Sequence, residues 1–230
     1  YMYGGDHEVP VIARTQISRG RGYGPQHSCD PAGLFTSYPG WRVAAPTTPA
    51  DYVGCWNAAV LSRDPVLIID DHRLAKTTGV LPAAGFDHVV EFERARVART
   101  GRDVTVVSWG FAATRVVELA DGLAARGIEI EIVDPRWLDE ASFPRADVLD
   151  SVARTGALVI AEDAQRTLSM GARLLDYLQP DLHGLVRSAP LRVTGLDAYS
   201  PVSRPLEDFV HIQDRDIEAA IVSAAGKDPS

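Results

Sequence analysis

The stretch VTVVSWGFAATRVVELADGLAARGIEIEIVD, from Val104 to Asp134, decides how the chain folds. It opens with an apolar run, continues with apolar residues at helical spacing over residues 112–126, and closes with a second apolar run over residues 128–133. Short apolar runs on either side of an amphipathic helix are typical of two parallel strands joined by a crossover helix. Gly127 stands where a left-handed residue commonly ends a helix. The stretch therefore predicts a strand-helix-strand unit.

The same alternation continues toward the end of the chain. The pattern predicts helices over residues 143–154, 169–178 and 217–225, and strands over residues 157–161 and 191–194. Gly156 precedes the first of these strands and predicts another left-handed helix end. Because strands and helices alternate, we expect a mostly parallel sheet with helices packed on its faces.

The residues before this region predict a second α/β unit. Apolar runs over residues 9–14, 41–45 and 65–70 are typical of buried strands. A helix is expected over residues 48–62, because Thr48 followed by Pro49 is a capping residue followed by a first-turn proline. The weakly periodic connection after the third strand predicts one further strand around residues 88–92.

A length of 230 residues suits two domains, since single domains usually hold roughly 100–150 residues. We place the first domain at residues 1–75, a linker at residues 76–102 and the second domain at residues 103–230. The first apolar run begins only a few residues after Tyr1, so we expect the chain to begin in the middle of a fold.

The bulk composition excludes several classes of function. The formal net charge of −8 is spread along the chain, which argues against a nucleic-acid partner. No apolar run approaches the roughly 20 residues that cross a bilayer, so no membrane partner is expected. Cys29 and Cys55 stand far apart, without the spacing of a metal site or disulfide framework, which favours a reducing, cytoplasmic location.

The segment RGRGYGPQHS, from Arg19 to Ser28, is the densest cluster of residues that could carry chemistry. Its glycines at alternate positions allow a sharp turn and a close approach to a ligand. The spacing is not that of a dinucleotide or P-loop site, and the bare pattern favours an ordinary flexible loop. His27 suits proton transfer and the stabilisation of developing charge, whereas composition alone favours a surface histidine without a chemical role.

Other polar positions have weaker claims to a function. Glu162 and Asp163 lie at the carboxyl end of a predicted strand, where α/β sheets usually bind ligands, although a solvated loop is slightly favoured. Gly110 opens a predicted helix, which favours a tight turn over a nucleotide site. The remaining histidines lack metal-ligand spacing and are interpreted as structural or solvent-facing; they are His7, His72, His88, His183 and His211.

Several short motifs match one protein family in their order and spacing. They are VPVIAR at residues 9–14, QHS at 26–28, YPG at 38–40, VAAP at 43–46, RVTG at 192–195 and PLED at 205–208, with Pro65, Arg136 and Glu162 between them. Through these motifs the chain resembles the β subunit of the decarboxylating first component of 2-oxo acid dehydrogenase complexes, of the pyruvate and branched-chain type. The resemblance implies an α/β fold: the second half of a thiamine-diphosphate (ThDP) pyrimidine-binding-type domain, then a transketolase C-terminal-like domain with a mostly parallel sheet.

The resemblance also implies roles for particular residues. His27 matches the family's active-site histidine, beside the reactive ring of ThDP and the bound 2-oxo acid, where the cofactor itself performs the carbanion chemistry. Gln26, Ser28 and Cys29 become candidates for the substrate pocket, with Cys29 where the family commonly has glutamine. Asp64 lies in a motif changed from the family's pattern and is a candidate ligand for a monovalent cation such as K⁺.

Partners are implied as well. The family's glutamate that activates the cofactor lies upstream of residue 1, and its diphosphate and Mg²⁺ motif belongs to an α subunit. The resemblance therefore implies an α-type subunit, the N-terminal half-domain, and a lipoyl or acyl carrier protein, in a heterotetramer outside which this chain is inactive. Two alternatives remain open: a transketolase-like or biosynthetic subunit that transfers a two-carbon or acyl unit, and a non-catalytic assembly domain.

Overall fold

The computed structural model describes residues 5–226. Its first part contains β1 (Ile12–Ile17), α1 (Pro25–Ser28), α2 (Ala32–Phe35), β2 (Arg42–Ala44), α3 (Pro49–Leu61) and β3 (Val66–Asp71). Its second part contains β4 (Arg96–Arg99), β5 (Val104–Ser108), α4 (Gly110–Ala125), β6 (Ile130–Asp134), α5 (Arg145–Thr155), β7 (Leu158–Ala161), α6 (Met170–Leu182), β8 (Leu191–Val193), α7 (Arg204–Val210) and α8 (Asp214–Ala224). The outer ends of the two proposed domain ranges, residues 1–4 and 227–230, lie outside the described residues.

The strands form two sheets. The first has the order β1-β3-β2, and its strands are parallel. The second has the order β4-β6-β5-β7-β8, in which β4 runs antiparallel to β6 and the other neighbours are parallel. Every residue of β5, β6 and β7 is buried, as expected for parallel strands covered on both faces. The predicted α/β fold with a mostly parallel sheet is confirmed.

Local signals explain where several helices begin and end. At the start of α3, the Thr48 side chain accepts a hydrogen bond from the Asp51 N–H, and the Asp51 carboxylate accepts one from the Thr48 N–H. This reciprocal capping satisfies two of the free N–H groups of the first turn. Gly127 and Gly156 have φ angles of 77° and 69°, which confirms the predicted left-handed ends of α4 and α5.

One predicted strand is wrong. Residues 88–92 form no strand; this segment instead lies against α3, where the Val90 N–H donates to the Gly54 carbonyl at 3.1 Å. The next strand along the chain is β4, which pairs with β6. The sequence also did not predict the short helices α1, α2 and α7, and α6 continues beyond residue 178 through Pro180 to Leu182.

The two sheets share a hydrophobic core. Its buried members from the first part include Ile17, Leu67 and Ile69, and they pack in one cluster with residues of β5, β6 and β7. Backbone hydrogen bonds also join the parts, since the Ala45 N–H donates to the Arg136 carbonyl at 2.8 Å. This packing brings the segments that follow β1, β3 and β7 together at one place, and the candidate site lies there.

Two further features concern membrane-spanning helices and the state of the cysteines. Within residues 5–226, no helix combines the length and apolar character needed to cross a membrane. Cys29 is exposed, Cys55 is buried, and both are free thiols.

Candidate functional site

The predicted catalytic residue lies on a short helix after a glycine-rich turn. Gly20, Gly22 and Gly24 all have φ between 66° and 76°, a conformation that other residues rarely adopt, which explains the alternating glycines. The turn ends at α1, where His27 is exposed and its ring meets the Tyr23 ring edge-on at a centroid distance of 5.4 Å. The expected flexible loop is therefore partly helical, and it presents His27 to the surface.

The three residues predicted to line a substrate pocket beside His27 are not oriented alike. Gln26 and Cys29 are exposed next to the histidine. Ser28 is buried, and its hydroxyl donates to Oε1 of Glu207 at 3.3 Å. The geometry thus brings His27 together with Gln26 and Cys29, whereas Ser28 points toward the second part of the chain.

A cleft of about 790 Å³ opens beside this segment, and Tyr23 is on its wall. Its charged lining residues are all cationic; they are Arg19, Arg21, Arg73, Lys76 and Arg204. Arg19 and Arg73 follow β1 and β3 at their carboxyl ends, the usual position of ligand crevices in parallel sheets. Arg19 and Arg73 are paired with the carboxylates of Asp163 and Asp71, so the positive charge that suits an anionic ligand is that of Arg21, Lys76 and Arg204.

Asp163 anchors two of these arginines, and the solvated loop favoured by the sequence for Glu162 and Asp163 is wrong. Asp163 is buried, with its carboxylate 3.1 Å from Nη1 of Arg19 and 2.6 Å from Nη2 of Arg73. Burial alone would raise the pKa of Asp163, but the two guanidinium groups hold that pKa well below its ordinary value. The loops after β1 and β3 cover the end of β7, which is why Asp163 is not solvated.

Glu162 is buried in a different environment. Its carboxylate accepts hydrogen bonds from the Ser169 hydroxyl at 2.6 Å and from the Gly171 N–H at 2.9 Å, both at the start of α6. Burial raises the pKa of Glu162 to about 7, against the opposing effect of these two donors. We interpret Glu162 as a link between β7 and α6.

His211 belongs to the same buried polar region. Its Nδ1 lies 3.6 Å from Asp163, and its Nε2 lies 3.2 Å from the Ser200 hydroxyl. Burial lowers the pKa of His211 below its ordinary value, despite the nearby Asp163 carboxylate. A structural role, as expected from the sequence, fits this position.

Asp64, the candidate cation ligand, lies apart from this group. It precedes β3, at the end of the strand opposite the cleft. Its Oδ2 accepts hydrogen bonds from Nε and Nη2 of Arg42 at 3.0 and 2.9 Å. Within the part of the chain that the structure describes, no three His, Cys, Asp or Glu side chains are placed to hold a metal ion.

Sequence reasoning missed three residues that shape this site, namely Arg19, Asp163 as an ion-pair partner, and Glu207. Arg19 lies inside the glycine-rich segment and Glu207 lies in the PLED motif, so both residues belong to motifs that the sequence analysis had already identified. What the sequence could not indicate was their contact across the fold.

Two family descriptions match this chain. The transketolase pyrimidine-binding domain matches residues 1–76, and the transketolase C-terminal domain matches residues 93–217.

Curated relatives include two enzyme subunits named β. The acetoin:2,6-dichlorophenolindophenol oxidoreductase subunit beta of Cupriavidus necator is 32% identical over 209 residues, which cover 91% of this chain and 61% of that protein. The pyruvate dehydrogenase E1 component subunit beta of Rhizobium meliloti is 30% identical over 207 residues, which cover 90% of this chain and 44% of that protein. This chain thus spans about half the length of these relatives.

A solved structure has the same fold. It is a split gene transketolase described as an inactive β4 tetramer, and it matches with a TM-score of 0.74 at 24% identity over 95% of this chain and 67% of that one.

Proposed function

Because this chain belongs to the family defined by the transketolase C-terminal domain, we propose that it is the β-type subunit of a ThDP-dependent 2-oxo acid dehydrogenase or decarboxylase. The assembled enzyme would decarboxylate a 2-oxo acid and transfer the acyl or hydroxyalkyl unit to an acceptor. The β-subunit names of the curated relatives support this assignment.

One observation carries the proposal. An exposed histidine, His27, stands beside a cleft whose charged walls are cationic, at the carboxyl ends of two parallel strands. Cationic walls attract the carboxylate of a 2-oxo acid, and a histidine can donate a hydrogen bond to an oxygen on which negative charge develops. Gln26 and Cys29 would contact the same substrate, while Ser28 would act on the position of the segment through its buried hydroxyl.

The cofactor requires a second polypeptide. The described residues offer no cluster for Mg²⁺, so these residues do not fit the metal-bound diphosphate end of ThDP. We assign Mg²⁺ and the diphosphate to an α-type subunit. ThDP supplies the electron sink for decarboxylation when it is bound.

The proposal also covers the acceptor, the cellular location, a bound cation and the domain bounds. A lipoyl or acyl carrier protein is the expected acceptor, and the two free thiols support a cytoplasmic location. Asp64 stays the candidate ligand for a K⁺ ion, although its Oδ2 is paired with Arg42. We also propose domains at residues 1–75 and 103–230.

Replacing His27 tests the proposal. In an assembly reconstituted with the α-type subunit, the remaining pyrimidine-domain segment, ThDP and Mg²⁺, His27→Ala should lower turnover of a 2-oxo acid by roughly 10²–10⁴-fold. The amount of complex on a sizing column should not change. His183→Ala, at another exposed histidine, is the matched control and should keep full turnover. If His27→Ala lowers turnover only as much as it lowers assembly, a non-catalytic assembly role is supported instead.

A further inference from the structure

Glu207 is a fully buried carboxylate on α7 that contacts the His27 segment from the other part of the chain. Its Oε2 accepts a hydrogen bond from the Gly22 N–H at 2.8 Å, and its Oε1 accepts one from the Ser28 hydroxyl at 3.3 Å. Gly22 and Ser28 lie on either side of His27 in the sequence. One carboxylate therefore holds both ends of the short segment that carries the histidine.

Neighbouring residues complete this contact. Within its own part of the chain, Glu207 also accepts a hydrogen bond from the Ser200 hydroxyl at 3.4 Å and lies 4.0 Å from Nε2 of His211. Hydrogen bonds to a charged acceptor are stronger than neutral ones, and burial strengthens them further. Contacts within the second part of the chain thus hold the Glu207 side chain in place, and Glu207 can in turn restrain the His27 segment of the first part.

Two arginines tie the same segment at further points. Nη2 of Arg204 donates to the Gly20 carbonyl at 2.8 Å, from the start of α7. Nε of Arg19 donates to the Ser28 carbonyl at 2.8 Å, while Nη1 of Arg19 pairs with Asp163. The backbone also fits closely, since a Cβ atom on Gly22 would lie 2.6 Å from the Val202 carbonyl oxygen. The second part of the chain therefore restrains the conformation around His27, together with contacts from the first part such as the Ser18 N–H, which donates to the His27 carbonyl at 2.7 Å.

We infer that Glu207 is a positioning residue for His27, which holds the histidine-bearing segment in place across the boundary between the two parts of the chain. Because the His27 side chain is exposed, its direction depends on how α1 and the turn before it are held. This inference deepens the proposed function and rests on it for the catalytic meaning of the position.

The test uses Glu207→Ala with three companion variants. Glu207→Gln can still accept from the Gly22 N–H and donate to the Ser28 hydroxyl, so it should restore the contact. Glu207→Asp keeps the charge but shortens the reach, and it carries the test if Glu207→Ala does not fold. Asp208→Ala, at an exposed neighbour on the same helix, is the matched control.

The primary readouts need no turnover. Amide hydrogen exchange of residues 20–28 in the full chain should rise by at least about tenfold in Glu207→Ala and, to a smaller degree, in Glu207→Asp. The α5 helix should be unchanged in every variant. In histidine-labelled protein, the NMR resonance of the His27 ring should shift or broaden in Glu207→Ala, whereas Glu207→Gln and Asp208→Ala should resemble the unaltered chain.

Turnover separates this inference from the proposed function. In a reconstituted assembly, we expect Glu207→Ala to lower kcat with little change in KM, and Glu207→Gln to recover it. If the His27 resonance and the amide exchange of residues 20–28 are unchanged in Glu207→Ala and Glu207→Asp, the inference is wrong. It is also wrong if amide exchange rises uniformly across the whole chain in these variants and Glu207→Gln shows the same rise. If the exchange result holds but His27→Ala has no effect on turnover, the proposed function fails while the positioning contact stands.

Discussion

Two adjacent carboxylates at the end of β7 have opposite acid strengths. Asp163 stays ionised because Arg19 and Arg73 both lie within ion-pair distance of its carboxylate. Burial dominates at Glu162 and raises its pKa to about 7, although Arg192 lies 3.6 Å away. The two pKa values differ because the carboxylates meet different neighbours: Asp163 lies between two guanidinium groups, whereas Glu162 accepts hydrogen bonds from the start of α6.

The raised pKa of Glu162 predicts how stability depends on pH. The unfolded chain ionises a glutamate near pH ~4.3, whereas the folded chain holds the proton until about pH 7. Between these values the folded state binds more protons, so the free energy of unfolding should fall as pH rises. Glu162→Gln should remove up to about 3–4 kcal/mol of this fall, which urea unfolding at a series of pH values would measure.

A control separates this effect from a general change in charge. Glu140→Gln removes a half-exposed carboxylate that pairs with Arg173 at 3.0 Å, and it should follow the pH profile of the unaltered chain. Parallel profiles for Glu162→Gln and the unaltered chain would show that Glu162 ionises normally in the folded state.

For individual residues, the sequence predicted which ones are candidates for the site, but it did not predict the contacts that these residues make. The catalytic role of His27 stays a prediction from the QHS motif, and the structure shows that its side chain is exposed. Asp163 could not be assigned correctly, because the arginines that bury it follow two other strands and only the packing of both sheets brings them together. The contact between Glu207 and Ser28 could not be predicted for the same reason, because only the packing of the two parts brings these residues together.

Among the elements, α2 packs closely against the loop before α6, which belongs to the other part of the chain. A Cβ atom on Gly33 of α2 would overlap the Leu168 carbonyl oxygen. The obstructing atom belongs to the backbone, which cannot rotate away as a side chain can. Leu168 itself has a φ of 56°, so the loop is already in an unfavourable conformation at this point.

Gly33→Ala should therefore destabilise the protein. The added methyl group forces the loop away from α2, and overpacking of this kind costs about 1–3 kcal/mol. Gly122→Ala is the matched control, because Gly122 lies in α4 with nothing within 4 Å of the added atom. That change should raise stability by up to about 1 kcal/mol, since alanine is a better helix former. Denaturant unfolding of both variants checks the prediction, and equal stabilities would mean that α2 does not pack on this loop.

The elements with regular patterns were the ones that the sequence predicted well. Helix α4 and strands β5 to β7 lie within a few residues of their expected ranges, because fully buried strands and amphipathic helices have strong local signals. Strand β4 was missed, since a four-residue strand that is only partly buried has almost no pattern of its own. The apolar residue Val90 instead fills a space over Gly54, a tertiary contact that local pattern cannot reveal.

At the scale of the whole molecule, the two parts form one packed unit with a shared hydrophobic core. Their common core fixes the ends of β1, β3 and β7 relative to one another. The cationic cleft and His27 lie on that boundary, so each part contributes to the site. The described residues hold no metal cluster. Under the proposed function, this chain shares its cofactor with an α-type subunit.

Calorimetric titration of ThDP with Mg²⁺ tests this central claim most directly. The cofactor would be titrated into this chain alone, and then into the chain combined with an α-type subunit and the remaining segment of the pyrimidine-binding domain. We predict saturable binding in the combined sample and none in the chain alone. The absence of binding in both samples, or equally tight binding by the chain alone, would contradict the account of a β-type subunit that shares its cofactor with a partner.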